Sequence, residues 1–130
     1  MKISILLPYK ENFSSKYAGA VSLFVKDTTI HSKYKNSINV FGHTKYKSKL
    51  LSNYINLDIK KNLLRSNSKI YVEKFLEHEN LNPSDLIEIH NRPNYVKFLS
   101  KVSSTRLILY FHNDPLTMSG SKSLNERKDL

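Results

Sequence analysis

Leu107–Pro115 reads LILYFHNDP. Five consecutive apolar residues, Leu107 to Phe111, have the pattern of a short strand buried on both faces, because a half-solvated strand would alternate apolar with polar positions. The run leads straight into His112, Asn113 and Asp114, three groups built for hydrogen bonding. In an open α/β sheet the carboxyl ends of the strands are where ligand groups collect, so a core strand with this ending implies both a fold class and a place for a site.

Three other runs share that character. Ile3–Leu7 (ISILL), Ile38–Phe41 (INVF) and Leu86–Ile89 (LIEI) are short, aliphatic or β-branched, and bounded by turn residues. Helical patterns lie between them. After the first run, Ala20, Leu23, Phe24 and Asp27 share a face, with Val21, Val25 and Thr28 beside it, which predicts a mostly buried helix. Ile70, Val72, Phe75, Leu76 and Leu81 predict a second helix. Tyr95, Phe98, Leu99 and Val102 predict a third, opened by Pro93 in its first turn and Asn91 near its cap. Gly42 to Ser68 has no single period and reads as a loop with a short strand near Tyr54–Leu57. The alternation of strands and helices predicts an α/β fold, a parallel sheet with helices on both faces in three layers, α/β/α.

With 130 residues the chain is the size of one domain. Its formal net charge of +10 points to an anionic partner such as nucleic acid, a membrane surface or a phosphorylated ligand. A bias of composition explains the charge as well, since all the basic residues except Arg65, Arg92, Arg106 and Arg127 are Lys, in a chain also rich in Asn, Ile, Ser and Tyr. Arg is the residue suited to bidentate phosphate and base contacts, so its scarcity argues against nucleic acid. The remaining candidates for such a surface are the Tyr and Lys of HSKYKNS and HTKYKSK. Absence of cysteine excludes disulfides and thiolate chemistry. The apolar start MKISILL is cut short by Pro8, Lys10 and Glu11, too early for a signal peptide or a membrane span. A cytoplasmic protein is expected, with peripheral contact at the inner face of the membrane compatible with its charge.

The exits of three strands carry the candidate site. Tyr9 follows the first strand, and the loop beyond it reaches Ala18, Gly19 and Ala20 at a helix start, where free N–H groups and the helix dipole favour a phosphate. Close helix–strand packing is the other use of a glycine there. His90, Asn91 and Arg92 follow the third strand; His112, Asn113 and Asp114 follow the fourth. Two strand-end histidines, each followed by Asn, suit the binding of sugar hydroxyls or phosphate oxygens. His31, His43 and His78 lie in unrelated segments, and no HExxH or other close His pair marks a metal, so none is expected. No nucleophile elbow marks a hydrolase.

KENFSSKYAGAVSLFV after the first strand, DLIEIHNRPNYV and LILYFHNDP together resemble the N-terminal domain of family 4 glycosyltransferases with the GT-B fold. The resemblance is strongest over Met1–Lys26 and Asp85–Lys128. It implies a Rossmann-like domain, spanning residues 1–130, that holds the acceptor side of a retaining, metal-independent transferase of hexosyl type in polysaccharide or glycolipid synthesis. By that resemblance Ala18, Gly19 and Ala20 approach the donor diphosphate, although the family's usual paired glycine is single here. His112 takes the catalytic position beside the transferred sugar, while Tyr9, His90, Asn91, Arg92, Asn113 and Asp114 fall on the acceptor side. Its partners would be a nucleotide-sugar donor and a glycan or lipid-linked acceptor, with no separate cofactor and no nucleic acid. The donor-binding C-terminal domain has no counterpart in these residues. Ser123 and Glu126, spaced as a capping box in SLNERKDL, mark a helix start at the very end. The expectation is therefore the front part of a longer enzyme, inactive alone, with a surface left open for association with another copy. A small basic module that binds a phosphorylated ligand or nucleic acid, without catalysis, is the alternative.

Overall fold

ISIL is buried at all four positions, and a strand with no solvated face needs neighbours on both edges and layers on both sides. The computed structural model, which describes residues 1–60, 63–128 and 130, provides both. Strand β1 (Ile3–Leu6) pairs in parallel with β2 (Ile38–Gly42) on one edge and with β4 (Leu86–His90) on the other. Strand β3 (Tyr54–Asn56) joins β2, and β5 (Arg106–Tyr110) joins β4, giving a five-stranded parallel sheet in the order β3-β2-β1-β4-β5. Helix α1 (Ala20–His31) covers one face, and α2 (Asn67–Leu81) and α3 (Pro93–Leu99) cover the other. The expected three-layer, Rossmann-like α/β fold is present.

The period of two in each strand sorts the core into two layers. Ile3, Ile5, Leu7, Ile38 and Val40 pack with Phe13, Val21 and Val25 on the α1 side. Leu6, Phe41, Ile87 and Ile89 pack with Tyr71, Val72 and Phe75 of α2 and with Tyr95, Val96 and Leu99 of α3. Tyr71 is fully buried and donates its hydroxyl to the carbonyl of Leu7 at 2.8 Å, tying α2 to the exit of β1. Burial holds its phenol well above the ordinary value.

Several details differ from the sequence reading. Strand β5 is not buried on both faces: Ile108 and Tyr110, on the α1 side, are 41% and 40% exposed, and Phe111 lies beyond the paired residues, also exposed. An apolar run signals burial only if a helix reaches it, and α1 spans β1 and β2 without covering the outer edge. Helix α1 buries Val21, Ser22, Val25 and Thr29, not the expected face of Ala20, Leu23, Phe24 and Asp27, all four of which are exposed, as is Thr28. Small Ser22 permits close approach to the sheet, and Phe24 is turned towards β4 and β5. Leu81 and Val102 continue helical periods but are exposed, because α2 ends at Leu81 and α3 has given way to a turn at Ser100. The short strand near Tyr54 is present as β3; Lys61 and Asn62, within the irregular segment, lie outside the described residues. The capping box is formed: Ser123 Oγ accepts from Glu126 N–H at 3.2 Å, Glu126 returns a bond to Ser123 N–H at 3.0 Å, and α4 (Leu124–Arg127) follows. Asp129, in the same stretch, is outside the described residues. Among the described residues no helix is long and apolar enough to cross a membrane.

At the opposite edge from the strand exits, one buried carboxylate joins two elements and the loop that leads into β4. Glu79 of α2 is 5% exposed and accepts from Ser4 Oγ of β1, from Ser84 Oγ at 2.7 Å and from Ser84 N–H at 3.1 Å. Removing the carboxylate strands all three donors in the interior, so Glu79→Ala should cost about 3 kcal/mol, and Glu79→Gln less because the amide keeps an acceptor. Urea denaturation of the two variants measures both the loss and its order.

Candidate functional site at the strand exits

The strand order reverses between β1 and β4, so the carboxyl ends of these strands open the crevice where an α/β sheet offers a site. The in-register pairing of β4 with β5 sets His90 opposite Tyr110, which brings His112, two residues further on, beside His90. Glu88 precedes His90 by two and shares its face. The three side chains form a chain of hydrogen bonds: Glu88 Oε1 to His90 Nε2 at 2.9 Å, and His90 Nδ1 to His112 Nε2 at 2.7 Å. The two imidazoles are within 19° of coplanar with centroids 5.0 Å apart, the separation of rings joined edge to edge through their nitrogens.

This order fixes the tautomers of the neutral rings. A carboxylate only accepts, so His90 donates from Nε2 and its Nδ1 carries a lone pair. His112 then donates from Nε2, and its own Nδ1 lone pair is left for another partner. His90 is fully buried, and Phe24 presses edge-on against His112 at 4.8 Å. His112 is thus an exposed acceptor on a buried mount. Desolvation first, and the neighbouring His90 second, hold its pKa below the ordinary 6.5, while Glu11 and Glu88 pull it back up. The three groups bond one another in series and do not converge on a point; among the described residues no cluster of three or more His, Asp or Glu has the arrangement to hold a metal ion.

The neighbours expected at this edge divide by task. Asn91 is a staple: its backbone is left-handed at φ 52°, its N–H bonds Tyr110 O at 2.8 Å, and its Oδ1 accepts from His112 N–H at 2.7 Å. That leaves its amide nitrogen for a ligand. Arg92 bends back onto the carbonyl of Asn91 at 2.7 Å and lines a small cleft with Asn94 and Met118. Asp114 caps the turn Pro115–Thr117 through Leu116 N–H at 2.9 Å, a structural use of its carboxylate. Asn113 is exposed beside His112.

Gly19 does stand at the start of α1, as expected for Ala18–Ala20, but the anion position there is already taken. Glu11 Oε1 accepts from Ser22 N–H at 3.0 Å, and a Cβ on Gly19 would fall 2.0 Å from that oxygen. The absent Cβ leaves room for that approach, and the group that approaches is the flexible end of the chain's own Glu11, whose carboxylate offsets the positive end of the helix. Tyr9 goes elsewhere: it faces His43 across the exits of β1 and β2, with ring centroids 5.5 Å apart.

Glu88, Glu11 and Phe24 belong to the site and were not among its expected residues. Glu88 was legible, two positions before His90 on a period-two strand. Glu11 was not, because no local pattern ties a loop carboxylate to a helix start beyond it. The arrangement as a whole offers a neutral imidazole acceptor, an amide and a helix start held by a displaceable carboxylate.

The imidazole of His112 should titrate below 6.5. Because the folded state then binds the proton more weakly than the unfolded chain, the associated stability is complete above that pH and is lost as pH falls through the folded midpoint. Glu11→Gln and Glu88→Gln each remove an anion that raises the midpoint, so both variants should titrate lower still, the first by more. NMR titration of the His112 ring protons reads all three values; an unmoved midpoint in both variants would refute the electrostatic account. No protein-family model, curated protein or solved structure matches this chain.

Proposed function

We propose that the chain is the acceptor-side domain of a glycosyltransferase that moves a hexose from a nucleotide-sugar donor to a glycan or lipid-linked acceptor, with retention at the anomeric carbon. The observation that carries the reading is the Glu88–His90–His112 chain at the strand-order reversal. An exposed, neutral imidazole with a free lone pair suits a sugar hydroxyl, which donates to it without a change of charge. Asn91 and Asn113 add amide groups beside it, as hydroxyl-rich ligands require. The donor diphosphate would take the start of α1, and it would first displace Glu11. Retention, the donor class and the placement of the donor nucleotide on a second domain come from the family resemblance.

The test is NMR titration of the whole chain with nucleotide hexoses and with short oligosaccharides. Resonances of His112, Asn113 and Gly19–Ser22 should move with the nucleotide hexoses. Glu11→Gln should bind them several-fold more tightly, since it removes the competing charge from the helix start. If these resonances stay fixed while nucleic-acid oligomers bind with a steep loss in salt, the transferase reading fails and the basic binding module takes its place.

A further inference from the structure

On the other side of β1, between the exits of β1 and β2 and the start of α2, lies a cavity of about 550 Å³. We propose that it binds an acidic saccharide, with aromatic side chains against the sugar ring and two lysines on its carboxylate or phosphate. Its size is within the range of small-molecule sites. One wall is aromatic: Tyr9 is fixed by its N–H bond to the Tyr95 hydroxyl at 3.1 Å and by its ring contact with His43, and Tyr46 leans on Tyr17 at 5.0 Å. Such faces pack against the C–H surface of a pyranose.

The polar groups are mixed in the way hydroxyls demand. His43 Nδ1 bonds the carbonyl of Leu57 at 2.9 Å, so the nitrogen carries the proton and neutral His43 keeps an acceptor at Nε2. Asn12 Oδ1 accepts from Thr44 Oγ1 at 3.3 Å, leaving the amide nitrogen to donate. Asn67, which also lines the cavity, has a buried Oδ1 without a hydrogen-bond partner among the described residues, a deficit that a ligand O–H reaching it would remove.

The charge gives the class of sugar. Lys10 and Lys45 both line the cavity, no Asp or Glu does, and neither lysine is in an ion pair among the described residues. Lys10 stands on a left-handed backbone, φ 71°, with its ammonium 5.7 Å from the Tyr9 ring. A neutral sugar would leave two cations unanswered; a uronate or a sugar phosphate answers them. Naming the bound sugar as the acceptor rests on the transferase reading, whereas binding itself rests on the lining of this cavity.

The experiment is titration of the whole chain at low salt with glucuronate, glucose 1-phosphate, glucose and inorganic phosphate, followed by NMR and calorimetry. Binding of glucuronate or glucose 1-phosphate should move Tyr46, His43 and Asn12, and should be clearly tighter than that of glucose or of phosphate. Lys10→Ala and Lys45→Ala, both at exposed positions, should each weaken it roughly threefold to tenfold. The proposal is overturned if neither acid binds, if phosphate alone binds as well as the sugar phosphate, if both lysine variants bind unchanged, or if a single-stranded DNA oligomer displaces the sugars from the same residues at lower concentration. Failure here with nucleotide hexoses still moving His112 refutes the acidic-sugar site alone; the converse result refutes the transferase reading alone.

Discussion

Everything at the strand-exit edge depends on β1 having parallel neighbours on both sides. The strand has no polar face to give to solvent, so it lies at the centre, and the chain must extend the sheet first towards β2 and β3 and then, from the other edge, through β4 and β5. That reversal leaves the exits of β1 and β4 side by side with no connection crossing between them. In-register pairing of β4 and β5 does the rest, since it sets two histidines from different parts of the chain within one hydrogen bond of each other.

The electrostatics of the edge are settled largely from within. A basic chain would be expected to present bare positive ends to an incoming anion, yet the start of α1 is met by Glu11 and the imidazole pair by Glu88. Each carboxylate meets a neighbour locally, Glu11 at the start of α1 and Glu88 on the ring of His90. On the proposed function, a phosphate would compete with Glu11 for the Ser22 N–H, whereas a sugar hydroxyl would meet His112 in a tautomer that Glu88 and His90 have already chosen. The cavity beside His43 differs in kind, because neither of its lysines is in an ion pair among the described residues.

Legibility in the sequence followed the range of the interactions. Runs such as ISIL and LIEI, the period of α2, Pro93 at the first turn of α3 and the Ser123–Glu126 box are local patterns, and each led to the correct element. The histidines at the ends of β4 and β5 were legible as site candidates for the same reason. Leu23, Leu81, Val102 and Ile108 misled because hydrophobicity records what a residue would gain by burial, not whether another element reaches it.

The sequence by itself determined the elements, their parallel arrangement and the edge at which polar groups gather, because strand and helix periods and turn chemistry act over a few residues. Only the tertiary structure decided that Glu88, His90 and His112 form one chain of hydrogen bonds, that Glu11 holds the place of an anion at Gly19, and that Tyr9 belongs with His43 and not with His112. Each of these joins residues through strand register or loop closure. Such contacts depend on where whole elements come to rest against one another, which no short stretch of chain encodes.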